Sequence, residues 1–272
     1  MKLLGHAAAA AVIPIAAATT LVVRDGAGGP EVLMVRRSMQ AIFMPGAYVF
    51  PGGAVDPVDG SPASERMCDE SAAALVRRIG TVTQVGDAAL GYAVAALREC
   101  FEECGLWLGA PAATPLRWGD LRAQLNAGEP IAALAQRHGL TLETSTLHPW
   151  SHWVTPFGSP KRFDTLFFVA PAPLGQTPEV DASETTALEW VRPAAALSAR
   201  ANGTFQMEFA TVRTVESLLP YASVAELLAE AASRSKLPPL HPRLLLGSDG
   251  RMRGVLLPGQ PGYDDAEPPS AA

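Results

Sequence analysis

The chain has little cysteine: three residues in 272. An odd trio builds no disulfide framework, so the fold must hold by its core, and this usage suits a reducing cytoplasm. Excess positive charge is also missing. The formal net charge is −6 and no lysine-rich block occurs, which argues against nucleic-acid binding driven by phosphate neutralisation. A long apolar run is absent too. The alanine-rich stretch 7–18 follows Lys2 and imitates a weak signal peptide up to Ala16-Ala17-Ala18. Pro14 interrupts it, it is too short for a membrane span, and cleavage after Ala18 would cut into the expected first strand, 16–24. No internal repeat is present. The remainder reads as one globular domain with appendages.

Hydrophobic alternation predicts strands over 16–24 and 31–37, joined as a hairpin by the glycine-rich 25–30, and a third strand over 47–50. A helix is expected at 63–78 and another at 87–104 with Asp87 as its N-cap. Short helices at 118–127 and 129–138 precede a loop ending in His148-Pro149-Trp150. Strands return at 151–156, 162–170 and 187–192, followed by helices at 205–219 and 222–235. A Pro-rich stretch, 237–242, leads to a hairpin of 243–246 with 253–257, turned by Gly247 to Gly250, and 259–272 reads as disordered.

The helix expected at 87–104 carries the chemistry. Leu90, Val94, Leu97, Phe101 and Cys104 fall within roughly 40° of one direction at 100° per residue. Glu99 points the opposite way, with Glu102 and Glu103 about 60° and 40° to either side of it. Three carboxylates on one face repel one another, each pair by about 3–4 kcal/mol before solvent screening. Such a cluster either stays solvated or takes a cation, and hard oxygen donors select Mg²⁺, Mn²⁺ or Ca²⁺ over zinc. Arg98 lies one turn before Glu102 and can fix its rotamer, and Gly105 suits a left-handed C-cap. Gly52 and Gly53, in Phe-Pro-Gly-Gly 50–53, supply a loop whose backbone can approach a ligand. Cys100 and Cys104, four apart, read as small buried hydrophobes rather than a zinc or redox pair.

These residues resemble the Nudix box, GX5EX7REUXEEXGU with U aliphatic. Gly53 opens it and RECFEECGL, 98–106, closes it, with Cys100 at an aliphatic position. The arginine lies forty-five residues after the glycine instead of fourteen, so about thirty-one are inserted; no counterpart of the motif's first glutamate stands out, and Leu90 occupies its helical register. The interruption is similar to that of a coenzyme A diphosphatase-like subgroup. Further likeness lies in 36–53, 161–170 and 187–193.

The resemblance implies a Nudix-type α/β/α sandwich with a mixed sheet. It would occupy residues 1–236, with insertions at 57–86 and 107–150 and a hairpin-bearing, Pro-rich extension at 237–272. It implies a hydrolase, a pyrophosphatase that cleaves a diphosphate in a nucleoside-diphosphate-linked small molecule with Mg²⁺ or Mn²⁺ bound. Coenzyme A or its acyl esters are one candidate substrate; NADH, ADP-ribose and nucleotide sugars are others. The alternative is a non-catalytic ligand-binding or interaction module. The implied metal-binding set is Glu99, Glu102, Glu103 and the backbone of Gly53, with Glu99 and Arg98 as catalytic residues and Glu184 a second candidate base. Lys161, Arg162 and Phe163 are candidates for a phosphate clamp beside a stacking aromatic. His148 and His152, beside Trp150 and Trp153, are expected to pack rather than react. A cytoplasmic protein, free of membrane and nucleic acid, is expected, and a homodimer is left open. The 57–86 insertion is expected to act as a removable wall or lid over the leaving group.

Overall fold

The computed structural model describes residues 2–3, 12–40, 44–109, 116–180, 185–246 and 252–263. In chain order the strands are β1 (Lys2–Leu3), β2 (Ile15–Gly26), β3 (Gly29–Arg37), β4 (Tyr48–Val49), β5 (Gly52–Ala54), β6 (His148–Val154), β7 (Phe163–Pro171), β8 (Thr185–Val191), β9 (Arg243–Leu246) and β10 (Met252–Leu256). The helices are α1 (Pro62–Met67), α2 (Ala72–Leu75), α3 (Thr81–Thr83), α4 (Ala89–Cys104), α5 (Trp118–Asn126), α6 (Ile131–His138), α7 (Pro193–Ala201), α8 (Phe209–Ser217) and α9 (Val224–Ser233). A π-helical turn, Val76–Gly80, joins α2 to α3. Among the described residues no helix is long and apolar enough to cross a membrane.

The main sheet runs β4-β3-β2-β7-β6, with β5 on β2 and β8 on β3. Only the β2–β7 pairing is parallel, so the sheet is mixed. Strand alternation splits the core into two layers. Ala18, Val22, Leu33, Val35, Leu166 and Phe168 face α4 and the inserted helices. Leu21, Val23, Val32, Met34, Phe167 and Val169 face α7, α8 and α9. This is the three-layer sandwich expected from the sequence.

One feature of the sheet positions the site. β2 and β3 pair only from Val23–Gly26 to Gly29–Val32 and then part. The chain from Tyr48 to Ala54 fills the fork: β4 pairs with Arg36 and Val35, β5 with Ala17 to Thr19, and Thr20 N–H donates to Pro51 O. Gly52 is required there, because a Cβ would overlap Ala18 O and Thr19 Oγ1. The wedge carries Gly52 and Gly53 over the middle of α4.

The structure corrects several expectations. Asp87 is not an N-cap: it lies in a 3₁₀ turn, Gly86–Ala88, and α4 starts after Ala88 without a side-chain cap. The helix expected at 63–78 is broken at Cys68–Ser71 and resumes with Ser71 Oγ accepting from Ala74 N–H. His148-Pro149-Trp150 opens β6 instead of ending a loop; a bulge between Pro149 and Ser151 accommodates the proline. Helix α7, with Pro193 at its first turn, was not foreseen. β9 and β10 form the expected hairpin, to which β1 adds a third strand, while its turn lies outside the described residues. Part of the tail expected to be disordered is folded: Tyr263 is buried and donates its hydroxyl to His241 O.

The insertion is not a removable lid. Leu75 and Ile79 are fully buried in the α4-side core. Arg78 pairs with Glu70 and donates to Leu147 O and Thr144 O, tying the insertion to the chain before β6. Ile79→Ala should therefore cost about 2–5 kcal/mol in urea unfolding, the range for emptying a packed aliphatic site. A surface excursion would lose less than about 0.5 kcal/mol.

Candidate functional site

Helix α4 brings the acidic cluster together. Gly105 closes it at φ 69°, its N–H donating to Phe101 O. Every residue of the helix is buried except Glu99 and Glu102. Arg98 is 8% exposed and is the hub. Its Nη1 donates to Glu99 Oε1 and to Glu102 Oε2, each at 2.8 Å, and its Nη2 to Ala54 O at 2.8 Å. From above, Gly52 N–H donates to Glu103 Oε2 at 3.1 Å. Gly53 is so close to Glu99 that a Cβ would overlap the carboxylate. Glu99, Glu102, Glu103, Arg98 and Gly53, separated by up to fifty residues, thus meet as the sequence suggested.

One partner was missed. Asp59 is fully buried, and Arg98 holds it with Nε at 3.1 Å from Oδ1 and Nη2 at 3.0 Å from Oδ2. Burial pushes the Asp59 carboxyl above its ordinary range, and the hydrogen bonds and charge of Arg98 pull it back. The signal was available. Asp59 stands six residues after Gly53, the spacing of the motif's first glutamate, and only the shorter side chain hid it. The interruption therefore begins after Asp59.

Burial also lifts Glu102 to about 7, an effect opposed by Arg98 and reinforced by Glu99. The site is thus short of positive charge. A hard cation suits it, since every donor is an oxygen. Among the described residues no three such side chains already form a cation cage: Arg98 lies between Glu99 and Glu102, and Glu103 is turned to Gly52.

The other candidates lie apart. Phe163 pairs with Ile15, three residues along β2 from the Ala18 that pairs with Gly53, about 10 Å away. Lys161 Nζ sits over the Phe163 ring at 4.9 Å, and Arg162 donates to Thr155 O and Val12 O. His152 is packed between Thr83 O and the Asp164 carboxylate, and His148 is half-buried beside Arg78. Glu184 lies outside the described residues.

Comparison with known proteins agrees with this geometry. No protein-family model matches the chain. The human acyl-coenzyme A diphosphatase NUDT19 is 29% identical over 87% of this chain and 73% of its own length. The protein of the same name from Gallus gallus is 27% identical over 51% of this chain and 47% of its own. Among solved structures, a NUDIX hydrolase from Alicyclobacillus acidocaldarius is 29% identical, with TM-score 0.67, over 80% of this chain and 96% of that one. In sequence and fold the chain is similar to Nudix hydrolases. Nudix hydrolases generally use divalent metals.

Two predictions follow from the hub. Asp59→Ala takes the acceptor from Arg98 Nε while Glu99 and Glu102 still hold Nη1, and should cost about 1.5–3 kcal/mol in denaturant unfolding, the scale of a hydrogen bond to a charged group; a loss below about 0.5 kcal/mol would show that Arg98 does not depend on it. The second concerns pH in metal-free buffer. Glu102 titrates at about 7 when folded and near 4.5 when free. The folded state therefore binds the proton more tightly, so stability is gained as pH falls through 7 and fully present below 4.5. Glu102→Gln should raise the melting temperature at pH 8 and flatten its rise between pH 8 and 5.5. An unchanged profile would remove Glu102 as its source.

Proposed function

We propose that the protein hydrolyses the diphosphate linkage of a nucleoside-diphosphate-linked small molecule, with Mg²⁺ or Mn²⁺ bound. The observation that carries this reading is the gathering of Glu99, Glu102 and Glu103 around Gly52 and Gly53, with Arg98 anchored from behind by Asp59. Glu99, Glu102, Glu103 and the Gly53 carbonyl would hold the cation. When bound, the cation supplies polarisation of a phosphoryl oxygen and a more acidic water.

The remaining roles belong to the chain. Arg98, fixed by Asp59 and Ala54 O, sets the rotamers of Glu99 and Glu102. Glu99, which lies against the Gly53 backbone, would accept a proton from the attacking water. Coenzyme A and its acyl esters are the first substrates to test, because two relatives carry that activity in their names. Lys161, Arg162 and Phe163 remain candidates for holding a distal part of a long substrate, since Phe163 opens β7 opposite Ile15 and the two basic residues immediately precede it.

The test is a panel of coenzyme A esters, dinucleotides and nucleotide sugars with each cation, with products identified by mass. Glu102→Gln and Glu103→Gln should each lower the rate at least about a hundredfold, the scale for losing a charged group that stabilises the transition state. Arg98→Lys keeps the charge, loses the planar fork and should slow the reaction with a weaker cation dependence. Full activity in both glutamine variants would remove the carboxylates from the reaction.

A further inference from the structure

Three parts of the fold meet at one histidine. His152 lies in β6, is 2% exposed and stands opposite Leu166, on the α4 side of the sheet. Its Nδ1 is 3.0 Å from Thr83 O, at the end of α3 and near the end of the insertion. Its Nε2 meets the Asp164 carboxylate on β7. Its main-chain carbonyl accepts from Leu240 N–H at 2.7 Å, and Leu240 O accepts from Val154 N–H at 2.9 Å. Three residues earlier, Leu237 N–H donates to Val82 O at 2.8 Å. The C-terminal extension therefore touches both β6 and the last turn of the insertion, with His152 between them.

The two ring contacts need two protons. Thr83 O is a carbonyl and only accepts, so Nδ1 must carry a hydrogen. The contact of Nε2 with the carboxylate also needs a hydrogen between the two atoms. A neutral imidazole beside an ionised carboxylate brings only one. Both contacts exist together only while the pair holds a second proton, as imidazolium with carboxylate or as imidazole with carboxylic acid. In either form that proton belongs to the pair. When it leaves, the ring has one N–H for two acceptors. The bond to the charged carboxylate is the stronger, so the ring keeps Asp164 and turns a lone pair to Thr83 O. Thr83 is fully buried, and stranding its carbonyl is costly.

The turn that presents Thr83 O is ready to relax. Gln84 follows it at φ 68°, a left-handed conformation that is unfavourable for a residue with a side chain. The Asp164 side chain is 35% exposed, which gives the pair a proton route to solvent. Among the described residues, three other titratable or charged groups face the pair. His241, in the extension, is held below its ordinary range by burial, with Asp164 opposing and His152 and Arg162 adding to the effect. Tyr92, on α4, donates its hydroxyl to Asp164 O at 3.5 Å; burial, reinforced by Asp164, raises it far above its ordinary range, so it keeps its proton. Arg162, just before β7, supplies a standing positive charge.

We infer that His152 and Asp164 form a proton-dependent clasp: with its second proton the pair ties the last turn of the insertion to the sheet, and losing that proton as pH rises frees Thr83 and loosens the seat of the C-terminal extension on Val82. The closed form binds the extra proton, so the attachment is present at low pH and lost at high pH. The clasp does not depend on the proposed reaction.

The experiment uses the full-length protein, isotopically labelled, in metal-free buffer between about pH 6 and 9. NMR follows the His152 ring nitrogens and the Asp164 carboxyl carbon. Hydrogen exchange, corrected for base catalysis, gives the protection of three amides. Leu237 reports the contact with Val82, while Leu240 and Val154 report the seam along β6. As the pair loses its proton, Leu237 should lose protection about tenfold, the scale of a lost hydrogen bond, with the same midpoint as the ring signals. Leu240 and Val154 should change by less than about twofold. In Asp164→Asn the side-chain amide can donate to Nε2 while Nδ1–H stays on Thr83 O, so Leu237 should remain protected throughout. His152→Phe should leave Leu237 loose throughout; if that variant does not fold, Asp164→Asn decides alone. Level Leu237 protection in wild type overturns the clasp, whether or not the ring signals move. Equal loss at all three amides, which marks a general loss of stability, overturns it too, as does the same loss at Leu237 in Asp164→Asn.

Discussion

The site depends on one buried ion pair. Arg98 is placed where its fork can take Asp59 on one side and two glutamates on the other. Without Asp59 its Nε would lose its acceptor and only Nη1 and Nη2 would stay anchored, by Glu99, Glu102 and Ala54 O. With Asp59 it becomes a fixed post from which Glu99 and Glu102 hang. Removing either member of such a pair is far more damaging than the pair's net contribution suggests, because the survivor keeps its desolvation cost. Stability and chemistry are therefore linked here: the residue that orders the acidic face also holds the loop Asp56–Asp59 against the helix.

The sheet supplies the second constraint. Two strands that stayed paired along their length would leave no room for a backbone over α4. By parting after four residue pairs they admit the Pro-Gly-Gly wedge, and glycine is what the narrow space requires. The carboxylates thus meet main chain on one side and a guanidinium on the other.

How much of this was legible follows from the kind of signal each part carries. α4 was readable because a 3.6-residue apolar stripe and a C-capping glycine agree, and its acidic face followed from the same periodicity. The two-layer core was readable from strand alternation. Asp59 was not legible as the motif's first acid because an aspartate replaces the glutamate there, although its spacing, six residues after Gly53, points to it. The break at Cys68–Ser71 is set by a serine cap and a main-chain bridge between Cys68 and Leu142, which pattern alone does not weigh. β6 was misplaced because Pro149 argues against a strand unless a bulge absorbs it. α7 was missed although an Arg-Pro start, with Pro193 at the first turn, is a helix-entry signal.

The point of interruption has a kinetic meaning. In the uninterrupted motif the acid and the arginine are eight residues apart and meet as the loop and helix form. Here they are 39 apart, with a folded segment between them. Closing the longer loop costs about 1.4 kcal/mol more in chain entropy, from the logarithmic dependence on length. The contact that anchors Arg98 is thus a long-range one in this chain, and it spans a segment that must itself be folded for the two ends to meet.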